Sequence, residues 1–132
     1  MSASERTAGV RELVPLLFVE NIVACASFYV DRLGFAMEAK WEPEGHLVWC
    51  RLAREGAAIM LQQAYEEDGP AAGRGHGVRF YFNCADVDAM HAEFAQRGLR
   101  VRPPEVTHYG EKQLSMYDPE GYHITFQSPV ER

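Results

Sequence analysis

The second half of this chain can be laid over the first at a constant offset of 65 residues, and that repeat limits the fold more than any other feature. At this spacing Asn21 meets Asp86, Glu55-Gly56 meets Glu120-Gly121, Ile59 meets Ile124 and Leu61 meets Phe126. Each pair falls at the same point in the same order of predicted elements, so one supersecondary unit is written twice. With 132 residues and 47 % apolar content, the chain can bury one core of ordinary size or two half-cores that share a cleft. The expectation is a single domain over 1–132.

The unit reads as βαβββ. In module one, about 13–63, Leu13 to Val19 is a predicted strand and Asn21 caps a helix. Its apolar residues Ile22, Cys25, Ala26, Tyr29, Val30 and Leu33 form one stripe at helical spacing, and Gly34 ends it. Strands follow near Phe35 to Trp41, His46 to Ala53 and Ala57 to Gln63, with turns at Pro43/Gly45 and at Glu55-Gly56. A linker over 64–77 holds Pro70 and four glycines. In module two, about 78–128, Val78 to Cys84 is a strand and Asp86 caps a helix with Val87, Met90 and Phe94 inward. Gly98 stops that helix, and three strands close the unit near Arg100 to Thr107, Lys112 to Tyr117 and Tyr122 to Gln127. The fold class is α+β: two tandem βαβββ modules whose curved sheets form a cleft.

Charge and cysteines narrow the partners. A net charge of −6 without a basic cluster argues against nucleic acid. No apolar run has the length of a membrane span, and Met1 to Glu12, small and polar, read as a frayed tail with no signal segment. Cys25, Cys50 and Cys84 lack CxxC spacing and sit in apolar patterns, as reduced buried thiols do, so the cytoplasm is the expected compartment. The expected partner is a small molecule.

Three stretches resemble the motifs of the vicinal oxygen chelate superfamily. They are Phe28-Tyr29 with Leu33-Gly34-Phe35, Ala85-Asp86-Val87-Asp88 opening the second helix, and Asp118-Pro119-Glu120-Gly121-Tyr122 before the last strand. The superfamily includes glyoxalase I, extradiol dioxygenases and bleomycin-resistance proteins, and the likeness runs from Leu13 to Pro129. It implies paired modules around a deep cleft and, as in many members, a homodimer. It also implies metal ligands on the first and last strands of each module, where this chain carries Val14, Met60, Arg79 and Thr125. Valine has no lone pair and arginine repels a cation, whereas a divalent metal wants imidazole or carboxylate at about 2.0–2.2 Å. His76, three residues before Arg79, falls in the glycine-rich linker and does not rescue the set. Neither a metal nor any other cofactor is expected.

Residues that share strand parity with those four positions should line the cleft. They are Val14, Leu16 and Phe18; Met60 and Gln62; Arg79, Tyr81 and Asn83; and His123, Thr125 and Gln127. Trp49 and Arg51 join them, as do Gln113, Ser115 and Tyr117. The opposite parity, Phe80, Phe82 and Cys84 with Ile59 and Leu61, is apolar, as a face under helices should be. Such a cleft is aromatic, hydrogen-bonding and positively biased. Arg79 would clamp a carboxylate, Trp49, Tyr81 and Phe18 would stack, and Asn83, Gln62 and Thr125 would orient the ligand. Plainer roles compete: Arg79 in a salt bridge with a glutamate, Trp49 in the core or a dimer interface, Phe18 and Met60 as filler.

His123 is the candidate base, with Arg79 holding an adjacent oxyanion, although a histidine opening a strand is commonly idle. His46, His91 and His108 have weaker claims, and Tyr81 and Tyr117 are the other candidates on the cleft face, a residue type whose reference pKa near 10 suits acid-base work only with help. The loop His108 to Glu111 reads as a plain hairpin connection or as a lid. No HExxH, nucleophile elbow, phosphate loop or dinucleotide fingerprint occurs. The leading expectation is a metal-free protein similar to the bleomycin-resistance branch that sequesters an aromatic or amphipathic ligand; Arg79 departs from the acidic cleft that suits cationic bleomycin. The alternatives are a lyase, isomerase or dioxygenase using His123 and Arg79 or other metal ligands, and an interaction module displaying Trp41 and Trp49.

Overall fold

The computed structural model describes residues 7–130. Its elements are β1 Leu16–Val19, α1 Ile22–Ser27, β2 Ala36–Trp41, β3 Trp49–Arg54, β4 Ala57–Gln63, β5 Arg79–Asn83, α2 Val87–Gln96, β6 Glu105–Val106, β7 Glu111–Tyr117 and β8 His123–Pro129. Two four-stranded sheets result, ordered β1-β4-β3-β2 and β5-β8-β7-β6. The outer pairs β1/β4 and β5/β8 are parallel and the rest antiparallel, as two βαβββ units require.

The repeat extends to individual hydrogen bonds. Asn21 caps α1 by accepting from the Ala24 amide at 3.1 Å, and Asp86 caps α2 by accepting from Asp88 and Ala89 at 3.0 and 3.2 Å. The first helical amide of each module finds an acceptor on the end of its last strand. Ile22 donates to Gln63 Oε1 at 3.1 Å and Val87 donates to Ser128 Oγ at 3.0 Å. Register repeats too: Leu16 pairs with Met60 as Tyr81 pairs with Thr125, and Phe18 with Gln62 as Asn83 with Gln127. The offset slips by one residue at β3 and β7. The two-residue turn between Arg54 and Ala57 corresponds to a three-residue turn, Pro119 to Gly121, between Asp118 and Tyr122, which are joined by a bond from the Asp118 amide to the Tyr122 carbonyl at 2.9 Å.

The modules meet through their helix-side faces. Leu17, Val19, Leu52 and Leu61 of the first sheet join Leu114, Ile124 and Phe126 of the second in one buried core with Ile22, Cys25 and Tyr29 of the first helical stretch and Val87 and Phe94 of α2. Burying each large side chain contributes about 1.5–3 kcal/mol. Phe35 stands edge-on to Phe82 across the junction, with ring centroids 5.7 Å apart. Polar contacts align the modules: Arg54 forks onto Glu93 at 2.7 and 2.8 Å, Arg32 donates to the Arg97 carbonyl, and Arg97 returns a bond to the Asp31 carbonyl at 3.4 Å. Each helical segment thus receives the other's cation at its C-terminal end, where the macrodipole favours it. Buried Asp118 accepts from the Tyr29 hydroxyl at 2.7 Å and from the Glu120 and Tyr122 amides at 2.9 and 3.0 Å.

Several boundaries differ from the sequence expectation for local reasons. The first strand starts at Leu16, leaving Val14 outside it: the Pro15 carbonyl faces β4, accepting from Met60 N, so the amide that proline lacks is the one the ladder would need next. Pro103-Pro104 similarly cut the strand expected over Arg100 to Thr107 to Glu105–Val106. His46 lies in a loop after a tight turn over Pro43–Gly45, and β3 starts at Trp49. Past α1 the helix widens over Phe28–Arg32, where Leu33 N bonds back five residues to the Phe28 carbonyl. Of the expected tail, Met1 to Arg6 lie outside the described residues, but Glu12 is fixed on Arg51.

Candidate functional site

The sheet faces that the helices leave open carry the expected residues, sorted into two different chemistries. On the first sheet one row runs Phe18, Gln62, Trp49, Trp41 and the next runs Leu16, Met60, Arg51. This face is aromatic and apolar, and Trp41 at its edge is 60 % exposed. Its cation is already matched. Arg51 donates through Nε to Glu38 at 3.0 Å and through Nη2 to Glu12 at 3.0 Å. The expected positive bias therefore does not come from Arg51, because two carboxylates flank one guanidinium. Neither partner was legible in sequence: Glu38 sits at a register shift in β2, and Glu12 precedes the first strand.

The second face is polar. Gln113 donates to Gln127 at 3.0 Å and Gln127 donates to Asn83 at 2.9 Å, making an amide row across three strands. Gln113 also donates to the Tyr109 hydroxyl at 2.7 Å, which ties the loop His108 to Glu111 to this face. That loop is a well-bonded hairpin: Thr107 and Glu111 exchange backbone and hydroxyl bonds of 2.7 to 3.1 Å. It borders a groove of ≈ 550 Å³ that Arg102, His108, Gln113 and Ser115 help to line. The bonds between Thr107 and Glu111 fit the plain hairpin connection of the two sequence readings.

The next row is Tyr81, Thr125, Ser115, with Tyr81 44 % exposed. Thr125 is 1 % exposed and its hydroxyl lies 2.9 Å from that of Ser115, so it supports the face from below. The last row is Arg79, His123, Tyr117. Arg79 is exposed and forms no ion pair with a described residue, so the glutamate partner weighed from the sequence is absent among them. Tyr117, 67 % exposed, stands edge-on to the His123 ring at 5.0 Å. His123 Nδ1 is buried without a hydrogen-bond partner among the described residues. Burial, and then the Arg79 charge, push the His123 pKa below its ordinary 6.5 and favour the neutral ring.

Among the described residues, no hydrogen bond, ion pair or ring contact joins a side chain of one open face to a side chain of the other. Phe18, Trp49, Arg51, Met60 and Gln62 gather on one, and Arg79, Tyr81, Asn83, Tyr117, His123 and Thr125 on the other.

The donor set at the metal positions does not fit a divalent ion. Met60 faces Leu16 across β1/β4, and Thr125 faces Tyr81 across β5/β8. Neither pair supplies imidazole or carboxylate, the Thr125 hydroxyl is engaged with Ser115, and Arg79 adds a positive charge beside that row. Among the described residues no group of three or more His, Cys, Asp or Glu could hold an ion.

Tandem βαβββ modules with curved, solvent-facing sheets define a paired-module, cleft-building class of protein. Residues 11–126 match the Glyoxalase/Bleomycin resistance protein/Dioxygenase superfamily, and the chain belongs to it. No curated protein sequence matches. Similar solved structures include TnmS3, an antibiotic binding protein from Streptomyces sp. CB03234, with 25% identity, TM-score 0.70, 95% of this chain and 100% of that one covered. The bleomycin-binding protein of bleomycin-producing Streptomyces verticillus, complexed with copper(II)-bleomycin, shares the fold at 18% identity and TM-score 0.66, covering 96% of this chain and 100% of its own. A glyoxalase-related enzyme from Clostridium phytofermentans does so at 16% identity and TM-score 0.71, with the same coverage of 96% and 100%.

Proposed function

We propose that this chain is a metal-free binding protein that sequesters a planar aromatic or amphipathic ligand bearing an acidic or carbonyl group. The division of chemistry between its open faces carries the reading: Trp49, Trp41 and Phe18 offer stacking surface on one, and on the other Arg79 offers a guanidinium without an ion pair among the described residues, on the same face as an amide row. A homodimer that sets module one of one copy against module two of its partner supplies both halves to one ligand. Trp49 and Phe18 would then cover the ring, Arg79 would hold the acid, and Asn83 and Gln62 would set orientation. The antibiotic-binding neighbour at 25% identity supports the class without naming the ligand. Burial holds the thiols protonated, pushing Cys50 up to about 11 and Cys25 higher, which suits a reducing cytoplasm.

Fluorescence anisotropy of 2-naphthoate, an aromatic carboxylate, tests this. Removing a charge-assisted pair worth about 1.5–3 kcal/mol, Arg79→Ala should weaken binding roughly 10- to 150-fold, while uncharged 2-naphthalenemethanol should be indifferent to the change. Equal affinity of both proteins for 2-naphthoate would remove Arg79 from the site.

A second reading, proton transfer, is favoured by one observation: His123 stands in register beside Arg79, and its buried Nδ1 has no hydrogen-bond partner among the described residues. A carbon acid whose oxyanion rests on Arg79 could lose its proton to that ring. Under this reading the wild type exchanges the α-hydrogens of phenylpyruvate with deuterium oxide and His123→Gln does not. Exchange at the solvent rate in both leaves binding alone.

A further inference from the structure

The internal repeat fails at one junction, and the failure opens a groove. On the first side of the module boundary, Tyr122 of module two closes the free edge of β1. Its hydroxyl donates to the Phe18 carbonyl at 2.7 Å, and its ring packs toward Phe80, with centroids 6.5 Å apart, and against Gly75, where an added Cβ would lie 2.8 Å from it. Beside it the Glu120 carboxylate accepts from the Glu20 and Asn21 amides at 2.6 and 3.2 Å. That side is filled.

On the second side the repeat places Ala57 where Tyr122 stands and Asn83 where Phe18 stands, each 65 residues away. The Cys84 amide donates to Gln127 of β8 at 2.8 Å, so alternation turns the peptide groups of Asn83 to the free edge of β5, as those of Phe18 face the free edge of β1. A methyl group at Ala57 cannot reach that carbonyl. What remains is a groove of ≈ 630 Å³ between the Arg54 to Ala57 turn and α2, with Phe35, Phe82 and Phe126 beneath it and Tyr81 and Asn83 along its edge. The volume lies within the roughly 300–1,000 Å³ of small-molecule pockets.

Its charge also departs from the repeat. Asp86 replaces Asn21, and Glu55, the counterpart of Glu120, has its side chain 88% exposed at the rim; Arg54 lies 2.7 Å from Glu93 and 3.9 Å from Glu55, so one cation at the groove stands against Glu55, Asp86 and Glu93. The rim is net acidic and repels a carboxylate.

We propose that this groove is a second small-molecule site, for a phenol with a neutral or cationic substituent, whose ring takes the place of the missing tyrosine and whose hydroxyl donates to the Asn83 carbonyl. The chain's own Tyr122 on the pseudo-equivalent carbonyl is the template for that contact. The site borders the acid-binding face, sharing Tyr81 and Asn83 with it, and selects the opposite charge.

Amide chemical shifts of the whole protein, titrated separately with p-cresol, tyramine, 4-hydroxyphenylacetate and toluene, test the proposal. p-Cresol and tyramine should give saturable shifts at Ala57, Asn83, Cys84 and Met90. Toluene should bind several-fold more weakly for want of the hydroxyl, and 4-hydroxyphenylacetate more weakly for its charge. Asp86→Asn should strengthen 4-hydroxyphenylacetate selectively. Ala57→Tyr should abolish the p-cresol shifts by filling the groove from within; Ala57→Leu, a smaller intrusion, serves if the tyrosine variant does not fold. Shifts centred on Trp49, Arg79 or Tyr117, toluene matching p-cresol, or undiminished p-cresol binding by a folded Ala57 variant would each overturn it. None of these results depends on 2-naphthoate binding at Arg79.

Discussion

Asp118 is held inside the protein by three donors, and Tyr29 supplies the one that crosses from module one. Burial raises the Asp118 pKa while these bonds oppose the rise, so the phenol is part of what makes a carboxylate tolerable there. Tyr29→Phe removes a bond to a charged acceptor and should cost about 1.5–3 kcal/mol, read as a lower urea midpoint at unchanged slope. A variant as stable as the wild type would show that Asp118 does not need the bond. His123 makes the opposite kind of statement. Its folded pKa lies below 6.5, so the unfolded chain binds the proton more readily, and its contribution is present above pH 6.5 and lost as pH falls through that value toward the folded one. In an NMR titration its midpoint should lie below 6.5. Arg79→Ala should raise it only part of the way, since burial is the larger cause. A full return to 6.5 would assign the shift to Arg79 alone.

At the scale of elements, the repeat made most of the fold legible. The caps Asn21 and Asp86, the turn at Glu55-Gly56 and the strand Ala57–Gln63 all follow from patterns that local chemistry dictates. The open-face rows were legible for the same reason, since alternation is a property of the strand itself. What local pattern could not supply was reach. Pro15 and Pro103-Pro104 shorten strands only because of where their missing amides would point, which depends on the neighbouring strand. The pairing of Ser128 with the Val87 amide, and of Gln63 with Ile22, joins residues 41 apart and has no local signature. Ser128→Ala leaves a buried helical amide without its acceptor and should destabilise the protein by about 1–3 kcal/mol, whereas loss of the more exposed Gln63 contact should cost less. Thermal unfolding of the two variants checks the order; equal effects would mean that water replaces Ser128.

For the molecule as a whole, the sequence left open whether the cleft forms within one chain or between two, and the packing of the modules now bears on the choice. Phe35 on Phe82, Arg54 on Glu93 and Tyr29 on Asp118 join the helix-side faces, which turns the aromatic and the cationic sheet faces outward on one chain. Under the proposed function, a ligand needing both finds them on two copies. Complementation tests that claim most directly. Trp49→Ala and Arg79→Ala each remove one half of the cleft, and each protein alone should bind 2-naphthoate at least about 10-fold more weakly than the wild type. When the two are unfolded together and refolded, a cleft shared between copies regains one intact site in every mixed dimer, the one that pairs wild-type Trp49 with wild-type Arg79, so about a quarter of all sites recover. No recovery in a mixture shown to contain mixed dimers would contradict the account and place both halves of the site on one chain.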